Sequence, residues 1–203
     1  PSESWRWQRA KVWSTVEDLY TTSYTMPFLV PMLENAGAVV VQPRERDTQV
    51  RGVVVDDNEV MRRLGEEAMR QWVIGEGKGW GEDEDGMLME GENPFTLGSY
   101  ATETIGNKTK GEMRYTPSLP EGEYAVYVSY KTLPNSTSKA QYTVVHKGQK
   151  TTFAVNQKMG GGTWVYLGTF AFDGDRANNY VSVAAVANGK EVVTTDAVKF
   201  GGG

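Results

Sequence analysis

One histidine, no cysteine and a scatter of acidic residues set narrow terms for chemistry in this chain of 203 residues. Without thiols there is no thiolate nucleophile, no disulfide and no cysteine-bound metal. His146 closes an apolar run just before Lys147-Gly148. No Ser/His/Asp or Cys/His constellation gives it a partner, so it reads as a hydrogen-bonded residue at a strand end, and no catalytic residue is assigned. Residues 75–93 are Gly- and acid-rich and read as a loop. Asp83, Asp85, Gly86 and Glu92 fall on the third, fifth, sixth and twelfth positions of a calcium loop, but Gly81 stands where aspartate is needed. The expectation is an acidic loop that holds no metal. Asp173-Gly174-Asp175 reads as a turn. The residue best suited to ligand contact is Trp80, in that Gly-rich segment. A flat indole face with one polar handle suits an exposed binding surface. Trp164, Phe170 and Phe172 have the alternation of a buried strand face and are expected in the core.

The elements that would position these residues fall into two unlike parts. From Trp13 to Ala36, apolar side chains at Val16, Leu19, Tyr20, Tyr24, Phe28 and Met32 have helical spacing, and Gly37 sits where a glycine would end the helix. Pro27 and Pro31 predict a break near Thr25. Ala38 to Val41 reads as a short buried strand, followed by a charged turn at 44–47. From about Val50 the period becomes two. Strands are expected at Val53–Val55, Ala68–Ile74, Tyr100–Ile105 and Glu112–Tyr115. More follow at Tyr124–Tyr130, Gln141–His146, Thr151–Val155, Thr163–Phe172, Tyr180–Val186 and Val192–Phe200. Turn residues separate the later ones: Lys147-Gly148, Gly160-Gly161-Gly162, Asp173-Gly174 and Asn188-Gly189. Short strands at this spacing predict an antiparallel β-sandwich, preceded by a helix–strand α/β fragment.

Charge and composition agree with that class. Twenty-three glycines and 11% aromatics suit turns between β-branched runs. A net charge of −5 argues against nucleic acid as a partner. No apolar run reaches the roughly 18 residues of a membrane helix.

Several motifs are distinctive as written. They are Tyr124–Tyr130 (YAVYVSY), Tyr142-Thr143-Val144-Val145-His146-Lys147-Gly148, Asn156 to Trp164 (NQKMGGGTW) with Leu167 to Phe172, and Asp196-Ala197-Val198-Lys199-Phe200. Together they resemble the golvesin-type domain, also described as the carbohydrate-binding-like domain of xanthan lyases, over roughly residues 50–200. Gln149 departs from the pattern, where a second glycine is expected. The resemblance implies a jelly-roll-like sandwich and glycan binding.

The first segment has its own resemblance. Val16-Glu17-Asp18-Leu19-Tyr20, Met32 to Val40 and Pro43 to Asp47 are similar to the zinc-dependent N-acetylmuramoyl-L-alanine amidases. That resemblance implies Glu17 as a zinc ligand in an intact parent, while the two histidine ligands and the catalytic glutamate have no counterpart in this chain. The expected layout is an amidase-like fragment at 1–49, a golvesin-type sandwich at 50–200 and a glycine linker at 201–203. No cofactor is expected in this chain itself. The functions this supports are a non-catalytic carbohydrate- or cell-wall-binding module of a secreted bacterial amidase-like protein, a zinc peptidoglycan amidase in the intact parent, or a structural spacer. Polysaccharide or peptidoglycan is the expected partner, in an extracellular or periplasmic setting. If the sandwich is an insertion, its first strand, near Val53–Val55, lies beside its last, and the helix finds little to pack on.

Overall fold

A computed structural model describes residues 24–40, 51–65, 70–82, 93–104, 106 and 111–201. The first described element is helical and irregular. Thr25–Leu29 forms a π-type turn that runs into helix α1, Val30–Asn35. Proline lacks the N–H that a regular interior needs, so Pro27 suits the widened turn, and Pro31 sits in the first turn of α1 where no donor is missed. Gly37 ends the helix at φ +86°. Its N–H donates to the Glu34 carbonyl at 2.9 Å, and the Ala38 N–H donates to the Leu33 carbonyl at 2.9 Å. This is the paired closure that a left-handed glycine permits. Tyr24, Phe28 and Met32 are 54, 58 and 64% exposed, so the apolar stripe is largely uncovered. Val16, Leu19 and Tyr20 lie outside the described residues.

The strand expected over Ala38–Val41 is not formed at 38–40, where Val39 is 93% exposed. Apolar character alone does not make a strand. A strand also needs a neighbouring strand paired with it in register over several residues.

The rest is a β-sandwich. Its strands are β1 (Gly52–Asp56), β2 (Trp72–Ile74), β3 (Ala101–Glu103), β4 (Glu112–Tyr115), β5 (Gly122–Val128), β6 (Ala140–His146), β7 (Gln149–Val155), β8 (Val165–Phe172), β9 (Tyr180–Ala184), β10 (Thr194–Thr195) and β11 (Ala197–Gly201). One four-stranded sheet has the order β1-β11-β5-β8, and the other β4-β9-β6-β7. A small third sheet is ordered β10-β3-β2. All the ladders are antiparallel. From β4 to β11 the chain passes repeatedly between the two large sheets, in keeping with the jelly-roll-like sandwich that the golvesin-type resemblance implies.

The core lies between the large sheets. Val126, Val128, Phe172 and Phe200 from one meet Met113, Tyr115, Tyr142, Val144, Val181 and Val183 from the other. The period-two runs produce this directly, because alternate residues of a strand point to one face. Gln157, from the NQKMGGG motif, is wholly buried beside this core. Its amide donates to the Thr194 carbonyl at 2.7 Å and to the Tyr142 hydroxyl at 3.1 Å, and its oxygen accepts from the Thr194 N–H at 3.0 Å. The motif therefore ties β6 to β10. The β6–β7 hairpin turns at Lys147 and Gly148, both at positive φ, which is the two-residue turn whose twist matches paired strands. Gln149 then pairs with His146 as the first residue of β7.

The first and last strands adjoin, as expected. Gly52 is opposite Gly201 and Asp56 is opposite Ala197. After β1 the chain enters a one-turn helix, α2 (Asp57–Met61), capped by the Asp56 carboxylate, which accepts the Asn58 N–H at 2.7 Å.

Candidate functional site

The face of the β1-β11-β5-β8 sheet turned away from the core carries a different set of side chains. On β5 Tyr124, Val126 and Val128 point inward, so Ala125 and Tyr127 point outward. On β11 Ala197 and Lys199 do the same. Register then sets a row across three strands: Lys199 is opposite Tyr127, and Tyr127 is opposite Tyr166. The Lys199 Nζ lies 5.2 Å from the Tyr127 ring centroid. The Tyr127 and Tyr166 rings are 5.5 Å apart at 48°. Tyr127 is buried under this row, while Tyr166 is 39% exposed and its hydroxyl meets Thr169 Oγ1 at 2.8 Å. A bulge beside Val126 and Tyr127, with Gly168 at φ +153°, re-aims β8 so that Tyr166 and Thr169 share this face.

The outer side of the sheet also carries a second, small apolar cluster of Trp80, Phe95 and Ala197, with Val54 and Trp164 against it. Trp164 is the hub, 5.9 Å from Trp80 and 5.4 Å from Phe95. Trp80 is held by a single acid. Both Asp196 carboxylate oxygens accept the Trp80 N–H at 3.0 Å, and one also accepts the Ser129 hydroxyl at 2.8 Å. Burial raises the Asp196 acid to about 6, opposed by those two donors. Close backbone approach does the rest. Gly79 and Gly98 exchange N–H···O bonds of 2.9 and 3.0 Å, and a Cβ on Gly98 would fall 1.7 Å from the Trp80 carbonyl.

This corrects two sequence expectations. Trp80 is not an exposed loop aromatic. It is 8% exposed and packs in the small cluster, its backbone N–H held by Asp196, the residue just before β11. Trp164 is half-buried in the outer cluster, not in the main core; Phe172 is fully buried there and Phe170 packs partly against it. His146 is placed as expected. Its Nε2 meets Thr151 Oγ1 at 3.1 Å and its ring stacks 4.9 Å from Phe170. Asp173-Gly174-Asp175 is a turn, with Asp173 accepting the Asp175 N–H at 3.0 Å and Gly174 at φ +81°. Glu17 and residues 83–92 lie outside the described residues. Among the described residues, no group of three or more His, Cys, Asp or Glu side chains is arranged to hold a metal.

Two groups of buried acids escape sequence reasoning. Glu103, 2% exposed, accepts three backbone N–H bonds, from Val186 at 3.0 Å, Ala187 at 2.6 Å and Val193 at 3.3 Å. Asp57 is fully buried and follows Asp56 directly. The one available signal for each was an acid set within an otherwise apolar, β-branched run.

The golvesin C-terminal domain family matches residues 91–202, more than half of the chain. The chain belongs to this family. The golvesin match covers Tyr127, Trp164, Tyr166, Asp196 and Lys199. It starts later than the expected extent of 50–200, yet β1 and Trp80, before it, are built into the same sheet and cluster. A xanthan lyase from Bacillus sp. (strain GL1) is 34% identical over 100 residues. That stretch is 48% of this chain and 11% of the lyase, so this golvesin-type chain corresponds to a small part of that protein's length. The solved structure of a Paenibacillus xanthan lyase aligns with 75% of this chain and 13% of its own, at 24% identity and a TM-score of 0.49. No helix among the described residues is long and apolar enough to cross a membrane.

Proposed function

We propose that this golvesin-type domain is a non-catalytic module that contacts polysaccharide through the outer face of its β1-β11-β5-β8 sheet. The observation that carries the reading is the Tyr166 ring, exposed at one end of the Lys199–Tyr127–Tyr166 row and in ring contact with Tyr127. A flat exposed ring takes the apolar face of a sugar, and neighbouring hydroxyl and ammonium groups take its oxygens. Trp80 serves this face by backing Trp164, not by touching the ligand. Similarity to xanthan lyases supports a polysaccharide as the partner class.

The test is affinity electrophoresis of the chain in gels containing xanthan or solubilised peptidoglycan. Tyr166→Ala should weaken retardation about fivefold, the equivalent of about 1 kcal/mol, and leave thermal unfolding unchanged. Failure of the wild-type chain to bind either polymer supports the spacer reading instead.

The wider setting is part of the same proposal. The helix-bearing first segment is taken as part of a secreted bacterial amidase-like parent, extracellular or periplasmic, in which Glu17 would contribute a ligand to a catalytic zinc. The described residues supply no companion for it, since the one histidine is engaged with Thr151 and Phe170. No hydrolytic step is therefore assigned to this chain. Zinc-dependent release of muramoyl-peptide linkages by the longer protein, lost in Glu17→Ala, tests that setting separately.

A further inference from the structure

One flank of the sandwich holds a cavity of about 320 Å³. β1 is the edge strand of one large sheet and β4 the edge strand of the other, and no ladder joins them among the described residues. The single turn of α2 packs against both strands. Val55 of β1 and Val60 of α2, both buried, give the cavity an apolar floor, and half-buried Leu64 extends it. Two guanidinium groups line the same space, Arg63 just after α2 and Arg114 on β4, with Glu112 beside them. Arg63 pairs with Glu59 at 2.6 Å and Arg114 with Glu112 at 2.9 Å, and all four side chains are at least 40% exposed. Exposed pairs within one element stabilise little, so they do not account for two arginines over an apolar floor in a chain of net charge −5. Arg114 also lies over the Tyr180 ring, 3.9 Å from its centroid. That contact fixes the guanidinium plane and leaves the N–H edge for acceptors lying in the plane.

We propose that this cavity is a second carbohydrate contact and takes a uronic acid residue, with its carboxylate on Arg63 and Arg114 and the C–H face of its ring on Val55, Val60 and Leu64. The donors select the class. A planar guanidinium meets a carboxylate with two parallel N–H···O bonds, a geometry that an ammonium group lacks. Glu59 and Glu112 already bring negative charge to the arginines, which disfavours a compact dianion such as phosphate. A sugar acid carries a single charge, and its hydroxyls can donate to the same glutamates. The volume is at the lower end of ligand cavities, roughly 300–1,000 Å³, which suits one ring and not a length of chain. The inference rests on the polysaccharide reading for the choice of a sugar among carboxylates. Its site is separate: β1 and the Tyr166-bearing β8 are opposite edges of their sheet.

The experiment titrates the whole chain with trigalacturonate at neutral pH and low ionic strength, followed by calorimetry. Saturable binding is expected, and the fully methyl-esterified trimer, which differs only in charge, should bind about tenfold more weakly. Arg63→Gln and Arg114→Gln should each weaken the acid by about tenfold and leave the ester unaffected. Lys150→Gln, which removes the same charge from β7 at the far edge of the β4 sheet, should change neither. Sodium glucuronate should compete, whereas sodium phosphate and N-acetyl-dialanine at matched ionic strength should not. Arg63→Gln carries the test alone if Arg114→Gln, which loses the Tyr180 contact, does not fold. The inference is overturned if the wild-type chain does not bind the trimer, if the ester binds as well as the acid, if Lys150→Gln costs as much as the arginine variants, or if phosphate or the dipeptide competes as well as glucuronate. Gel retardation of Tyr166→Ala reads the outer face and this titration reads the cavity, so either can fail while the other stands.

Discussion

Replacing Glu103 with glutamine keeps the size of the side chain and removes half of its accepting capacity. One oxygen now takes the Ala187 N–H and the other takes those of Val186 and Val193. In the variant, the amide oxygen can keep Val186 and Val193 only by turning its NH2 group onto the Ala187 N–H, at a spacing of 2.6 Å that two donors cannot share. A buried hydrogen bond to a charged acceptor is worth about 1.5–3 kcal/mol, and an orphaned buried amide costs a similar amount. Glu103→Gln should therefore lower stability by about 3 kcal/mol, and Glu103→Ala, which orphans all three donors, by about 5 kcal/mol. The bond also holds Ala187 at φ +55°, an uncommon setting for a residue with a Cβ. Ala187→Gly should accordingly be tolerated in wild type and partly rescue Glu103→Gln. Urea unfolding followed by tryptophan fluorescence measures all of these, with an unchanged dependence on denaturant showing that the folded state is intact. Glu123, on the exposed side of β5, provides the control: its change to glutamine should do nothing measurable. If Glu103→Gln lies within about 0.5 kcal/mol of wild type, the carboxylate does not organise this loop and the argument fails.

Three further outcomes follow from the same structure. Phe200→Ala should cost about 3–5 kcal/mol in urea unfolding, since the ring is fully buried and meets Phe172 edge-on at 5.8 Å. Gly98→Ala should displace the segment carrying Trp80, because its Cβ would overlap the Trp80 carbonyl; the expected result is a loss of at least about 2 kcal/mol and a red-shifted tryptophan emission. The protein should lose stability as pH rises. Asp196 and Asp57 are raised from 3.8 to about 6 and about 9, so the folded chain keeps protons that the unfolded chain releases. Their contribution is complete below pH about 4 and declines through pH about 6 and then about 9, with Asp196 alone accounting for about 3 kcal/mol. Urea unfolding across this range checks the sign; a stability that climbs with pH contradicts it.

The period-two runs were legible because burial on one face is enforced residue by residue. Glu112–Tyr115 is a strand at the expected bounds, and β5 to β9 fall within two residues of theirs. Where the sequence misleads, a distant partner decides. Val192 to Phe200 reads as one strand, yet the chain breaks at Asp196, whose carboxylate leaves the ladder to take the backbone of Trp80, 116 residues earlier. Nothing local to Asp196 indicates that contact. Trp80 seemed open because glycines surround it, but Gly79 and Gly98 are there to bring two backbones together. Glu103 has the same character. An acid in a β-branched run looks like a solvated edge residue until its partners, 83 to 90 positions later, fold over it.

The pairing of β1 with β11 has a mechanical consequence. The antiparallel ladder places Gly52 beside Gly201, so a load applied through these two points pulls across the hydrogen bonds and not along the strands. Rungs loaded in that way open in succession, like a zipper, instead of resisting together in shear. Under tension β1 is the first part to peel. It takes Val53 and Val55 off the core and admits water to Asp57 while the β4-β9-β6-β7 sheet still stands.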